Sequence, residues 1–365
     1  MRKKFWDLIP HNALSSIMAI ISGLLVGFVI LLITNSGQAA KGFWAIISSG
    51  FSNMKNIGDV LYFATPTIMT GLSVGFASRT GLFNIGASGQ FTFGAYAAIL
   101  VGVRFAAFMP AWSLCIAAVL AGIIAGALWG MIPGLLKAFC NVNEVISCIM
   151  TNYIGMYLVN YLITLTCFDS LKNLTKPVNA AANLPKLGLD KIFKSGNLTS
   201  SVNSGILIAI IVAIVMYMIL EKTVFGYELK ACGLNSDAAK YAGINQRRGV
   251  VLSMTVAGAL AGLGGALLYL AGSGKGITVV DVLAPEGFNG IPVALLGLNN
   301  PIGIIFAGLF ISHLTVGGFN MQLYDFAPQV IEIIIAIIIY FSAFSLLIKG
   351  FIDRARRGRA KGGEA

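Results

Sequence analysis

The chain has 365 residues, of which 57% are hydrophobic and 11% charged, with a mean hydropathy of +0.85; ordinary globular chains carry about 25% charged residues, so a soluble fold is excluded. The formal net charge of +11 would suit a nucleic-acid binder, but the basic residues gather at the ends of apolar stretches and in the C-terminal tail, not on a basic face interleaved with exposed aromatics. Forty-three glycines fit close-packed membrane helices, where small residues let backbones approach.

Residues 1–10 are basic through Arg2, Lys3 and Lys4, and the apolar run behind them, 14–34, has no cleavage signal after it and suits a spanning helix better than a signal peptide. Further apolar stretches of about the length a span requires follow at 57–78, 82–103, 112–136, 145–165, 204–220, 250–271, 302–319 and 328–348. Nine crossings from a cytoplasmic N-terminus would leave the tail outside. That tail carries Lys349, Arg354, Arg356, Arg357, Arg359 and Lys361, which the positive-inside rule assigns to the cytoplasm, so a tenth crossing is needed. Residues 284–297, broken by Pro285, Gly287, Gly290 and Pro292, are its candidate: a short or interrupted helix buried among the others.

The expected fold is thus an all-α membrane protein of about ten transmembrane helices, one short or broken, with both termini cytoplasmic. One transmembrane domain covers 1–348 and a basic cytoplasmic tail 349–365. With this topology Arg79, Lys137, Lys222, Lys230, Lys240, Arg247 and Arg248 join the termini inside, and the long loop 166–203 lies outside. The longest cytoplasmic loop is 221–249, of mixed charge and helix-forming content.

The five cysteines, at 115, 140, 148, 167 and 232, are odd in number and lack metal-ligand spacing, so neither a disulfide framework nor a metal site is expected. Gly274-Lys275-Gly276 superficially resembles a phosphate-binding loop, but Tyr269 and Gly276 stand where the motif needs Gly and Ser/Thr. Asp59, Glu144, Asp281, Glu286 and Glu332 all fall near stretch ends or in breaks, whereas an ion-coupled carrier usually buries a carboxylate near the midplane. No metalloprotease, serine-hydrolase or paired-carboxylate pattern occurs, so no catalytic residue and no cofactor are expected. Energy for transport would come from a separate subunit.

The loop around Asp237 points to that subunit. Asn235, Ser236 or Asp237 can cap a helix, Ala238, Ala239 and Ala242 give it a small face, and Gly243 ends it. The run Gly233, Asn235, Ala238, Ala239, Ala242, Gly243, Ile244 and Asn245 resembles the permeases of ABC importers for simple sugars and nucleosides, in which this pattern forms a coupling helix resting in a cleft of the ATPase. Residues 81–90 (GLFNIGASGQ) and 287–303 (GFNGIPVALLGLNNPIG) resemble the nucleoside-type branch, which pairs with a lipoprotein of the basic membrane protein family. The resemblance extends from about Ile57 onward. Many relatives have Glu where this chain has Ser88, so no carboxylate role is carried over.

The resemblance implies a permease subunit in the bacterial cell membrane, working by alternating access with an ABC ATPase, a second permease subunit of the same or another chain, a substrate-binding lipoprotein and membrane lipids. Nucleosides are the expected substrate, with simple sugars, or an ATP-independent channel or carrier, as alternatives. Phe83, Asn84, Gln90, Phe288 and Asn289 are the pathway candidates: the amides can bond a polar solute and the rings can face a base, while packing and satisfying broken backbone are the competing roles. His313, alone in an apolar stretch, reads as a hydrogen-bonded packing residue.

Overall fold

A computed structural model describes residues 11–343. The basic residues 2–4 and the tail 349–365, on which the orientation of the termini rests, lie outside the described residues. The described chain is mostly helical and divides into two units, one built from its two ends and one from residues 51–312.

In the first unit, α1 (His11–Thr34) packs on α15 (Pro328–Ala343). Gly23 and Gly27, one helical turn apart, form the groove that receives α15: a Cβ on Gly23 would lie 2.6 Å from the Ile338 Cα, and one on Gly27 2.9 Å from the Ile334 Cγ2. A helix absent from the sequence reading follows, α2 (Ala39–Ser48), too short to span. It buries Ala39, Gly42, Ala45 and Ile46 and leaves Trp44 exposed. The end of α14 (Pro301–Met321) closes on this buried face, where Gly317 brings its backbone against Ile46. His313 is buried there, its Nε2 donating to the Ile47 carbonyl oxygen at 2.8 Å, which is the packing role its setting suggested.

In the second unit, α3 (Met54–Arg79) begins where the Asn53 side chain accepts the Asn56 N–H at 2.8 Å, and it is buried along most of its length. Around it stand α4 (Ala87–Arg104), α5 (Ala111–Cys140), α6 (Glu144–Thr166), α8 (Gly205–Lys222) and α11 (Gln246–Tyr269). The tightest seam joins α5 to α11. Gly126 and Gly130 of α5 meet Gly262 and Gly258 of α11, and a Cβ on either α5 glycine would come within 2.8 Å of the facing Cα. Without a hydrophobic drive between helices in lipid, such close backbone packing supplies the cohesion. The opposite face of α5 exposes Ile116, Leu120, Ile124 and Leu128, as lipid contact requires.

Among the described residues, α3, α5, α6, α8, α11 and α14 are long and apolar enough to cross a membrane; α1 and α15 contain shorter apolar segments. Residues 166–203 are more ordered than a plain loop. They hold two antiparallel hairpins, β1 (Phe168–Asp169) with β2 (Leu174–Thr175) and β3 (Lys194–Ser195) with β4 (Leu198–Thr199), and the one-turn α7 (Leu189–Ile192). Leu174 bridges to Thr278, and Thr175 exchanges hydrogen bonds with Ile277, fastening this segment to the chain leaving α11.

Candidate functional site

The stretch expected to be helical from residue 82 instead starts its helix at Ala87. Gly81, at φ +74°, turns the chain into a left-handed conformation that glycine adopts without penalty, and residues 82–86 run irregularly to α4. Irregular backbone inside a membrane protein needs polar partners from its own chain. Here Asn84 and Gln90 pair head to head: Asn84 Nδ2 donates to Gln90 Oε1 at 2.8 Å, and Gln90 Nε2 returns to Asn84 Oδ1 at 3.1 Å. Asn84 also donates to Ser73 Oγ of α3 at 3.1 Å, and both amides are buried.

Asn152 completes this network and escaped the sequence reading. Its Oδ1 accepts the Gly89 N–H at 2.8 Å and its Nδ2 donates to the Ile85 carbonyl at 3.0 Å, so α6 holds both the break and the first turn of α4. The available signal was one of two amides, Asn152 and Asn160, inside the apolar stretch 145–165.

The segment 284–297 is interrupted, as its prolines and glycines indicated. It forms α12 (Pro285–Phe288) and α13 (Gly290–Leu296), with Asn289 between them. Gly287 lies backbone-close to Ser88, and Ser88 Oγ donates to the Ala284 carbonyl at 2.8 Å. The two Gly-rich breaks are therefore one structural region, and Ser88 is a hydrogen-bond donor joining them. Of the pathway candidates, Asn84 and Gln90 are spent on each other, Phe83 packs among Val74, Ala87, Ala261 and Ala294, Phe288 is half-buried and Asn289 is exposed.

The loop 221–249 folds as α9 (Val224–Leu234) and α10 (Ser236–Tyr241). The Asn235 side chain caps α10, accepting the N–H groups of Asp237 at 3.1 Å and Ala238 at 3.0 Å, and exposed Asp237 sits in the first turn, where negative charge suits the helix dipole. Gly243, at φ +83°, ends the helix, with the Ile244 N–H returning to the Ala239 carbonyl at 3.0 Å. The small face splits in two. Ala238 and Ala242 are exposed, whereas Ala239 is 4% exposed and faces its own chain. Tyr241 and Leu234, at 95% and 88%, flank the exposed side with large apolar groups. Glu221 and Lys230, 2.8 Å apart, pin α9 to the end of α8. Burial, and secondarily the Glu228 carboxylate, push the Cys232 thiol above its ordinary range. Gly233 packs against the backbone of residues 79–81, directly before the first break.

No group of metal-ligating side chains occurs among the described residues. Residues 56–343 match the model of a family described as the permease component of the branched-chain amino acid transport system. The chain is similar to the guanosine ABC transporter permease protein NupP of Bacillus subtilis, 37% identical over 95% of this chain and 97% of the relative. It is similar to the nucleoside ABC transporter permease protein NupB of Lactococcus lactis, 35% identical over 96% of each chain. It is also similar to the glucose ABC transporter permease protein TsgB13 of Haloferax volcanii, 32% identical over 94% of this chain and 89% of the relative. No solved structure matches.

Proposed function

Because the chain belongs to the family of permease components of the branched-chain amino acid transport system, a membrane subunit and not itself an enzyme, we propose that it forms the translocation pathway of an ABC importer for nucleosides. The observation that carries the substrate is near-full-length similarity to permeases named for guanosine and for nucleosides, above that to a permease named for glucose. The glucose relative keeps a simple-sugar permease as the second reading.

In this reading the α10 loop docks in an ABC ATPase, a second permease subunit completes the pathway, and a binding lipoprotein delivers substrate from the side of residues 166–203. The chain crosses the bacterial cell membrane about ten times: the six long helices, α1, α4, α15 and the interrupted α12–α13 pair. Alternating access follows from nucleotide-driven motion of the ATPase acting on the capped, rigid α10.

The test is reconstitution of the whole complex in liposomes with its binding protein. ATP-dependent uptake of radiolabelled guanosine is the expected result. Glucose or ribose uptake without guanosine uptake overturns the substrate, and guanosine uptake that persists without ATP overturns the importer.

A further inference from the structure

The exposed helix faces of the second unit differ in chemistry. Those of α5 and α8 are aliphatic through the middle of each helix, with Ile116, Leu120, Ile124 and Leu128 on one and Leu207, Ile211, Ile214 and Met218 on the other. α6 exposes Ile146, Met150, Ile154 and Leu165 as well, but sets among them Tyr153, Tyr157 and Tyr161, at 48%, 55% and 62%. At 3.6 residues per turn these rings stack along one face, and Asn160 and exposed Thr164 fall on the same arc. Tyr157 stands near the middle of this 23-residue helix, whose length of about 35 Å slightly exceeds a bilayer's hydrocarbon core. Tyrosine is favoured at the membrane–water boundary, where its hydroxyl meets water. At mid-depth against lipid that hydroxyl would be left unbonded, and none of the three bonds to another group among the described residues. A face on a water-filled route would give these hydroxyls the partners that lipid does not.

A second observation lies beside it. A cavity of about 210 Å³ is walled by Asn160 and Met156 of α6, Phe91 and Thr92 of α4, Tyr269 and Glu286. The Tyr269 ring and the Glu286 carboxylate can meet a base and bond a sugar hydroxyl, and Asn160, whose Nδ2 donates to the Val280 carbonyl at 3.0 Å, keeps its Oδ1 as an acceptor. The cavity is smaller than the roughly 300–1,000 Å³ of an ordinary small-molecule site, so it holds part of such a solute, and Met156 and Asn160 tie its wall to α6.

Resting on the nucleoside reading, we propose that the tyrosine face of α6 and this cavity line the nucleoside's route. Tyr157 and Tyr161 offer ring faces to the base, and Glu286 and Asn160 bond the ribose. The tyrosines lie outside the two breaks, and Glu286 belongs to α12 of the second.

Single cysteines at Tyr157→Cys and Tyr161→Cys, with Ile124→Cys and Ile211→Cys as lipid-facing references, are placed in a chain whose five native cysteines are replaced. In the assembled transporter in liposomes, a small water-soluble thiol reagent is expected to modify positions 157 and 161 well ahead of 124 and 211, and saturating guanosine to slow it. Reaction at 157 and 161 no faster than at 124, or insensitive to guanosine, overturns the proposal. Glu286→Gln is expected to raise the KM for guanosine uptake severalfold, and an unchanged KM removes Glu286 from the site. Absence of guanosine uptake by the unsubstituted complex sinks the nucleoside reading separately, because the labelling contrast between α6 and α5 does not depend on it.

Discussion

Gly81 and Gly233 meet backbone to backbone: a Cβ on Gly81 would lie 3.1 Å from the Gly233 Cα, and one on Gly233 2.6 Å from the Arg79 carbonyl oxygen. The contact joins the residue two before the Asn235 cap to the turn that opens the first helix break. On the proposed docking of α10, this contact of α9 would be the link to residues 81–90, with the Ser88–Ala284 hydrogen bond linking these to the second break.

Filling this joint should separate assembly from coupling. Gly233→Val crowds only the Arg79–Gly81 backbone, and overpacking of this kind typically costs about 1–3 kcal/mol. Membrane abundance and ATPase co-purification are expected to persist while guanosine-stimulated ATP hydrolysis falls severalfold. Stimulation at the unsubstituted level would show that the contact transmits nothing.

The two adjacent alanines of α10 should fail in different ways. Ala238 is exposed and Ala239 is buried in its own chain. Ala238→Trp is expected to leave the permease folded and abundant but to weaken ATPase docking by up to about a hundredfold, from an overpacking cost near 3 kcal/mol at about 1.4 kcal/mol per factor of ten. Ala239→Trp is expected to lower abundance first, since the ring has to enter the chain's own packing. Thermal stability and co-purification measured on both variants check this, and equal co-purification of Ala238→Trp and the unsubstituted chain would remove α10 from the interface.

Much of this was legible in the sequence. Long apolar stretches located the helices because lipid demands both length and hydropathy, and the three cap candidates Asn235, Ser236 and Asp237 with Gly243 bracketed α10, of which the structure uses Asn235. What escaped depends on which way a side chain faces. Ala238 and Ala239 look alike in one dimension, and Asn84 and Gln90 read as pathway residues because nothing local says that the two amides close on each other. α2 was missed because a ten-residue amphipathic helix falls below any spanning length, and the exposed tyrosines of α6 because three tyrosines in an apolar stretch do not alter its hydropathy.

The orientation of the chain can be read by labelling. The tail's cations and the basic start argue that both termini are cytoplasmic. In a chain lacking native cysteines, a single cysteine beside Arg357 should resist a membrane-impermeant reagent in whole cells, whereas Leu187→Cys, in the exposed part of 166–203, should react. The reverse pattern would invert the topology, and reaction of both would remove the tenth crossing.

The reciprocal amide pair permits a test of whether the first break is structural or part of the route. Asn84→Ala leaves the buried Gln90 amide, and the Ser73 hydroxyl it partly served, without that partner, and an unsatisfied buried polar group costs about 1–3 kcal/mol. Gln90→Leu alone strands Asn84 in the same way. Replacing both amides by apolar groups removes the unmatched partners together and is expected to restore much of the stability either single change loses, so the double mutant should be markedly more stable than the sum of the two losses predicts. Thermal unfolding of the purified complex measures that difference, and guanosine uptake is followed in the same preparations. Uptake that returns with stability in Asn84→Leu/Gln90→Leu means the pair only holds the break in shape. Uptake that stays lost while stability returns means that the amides separate from each other during the transport cycle and meet the solute, since a pair that never opens can be replaced by any group of similar size.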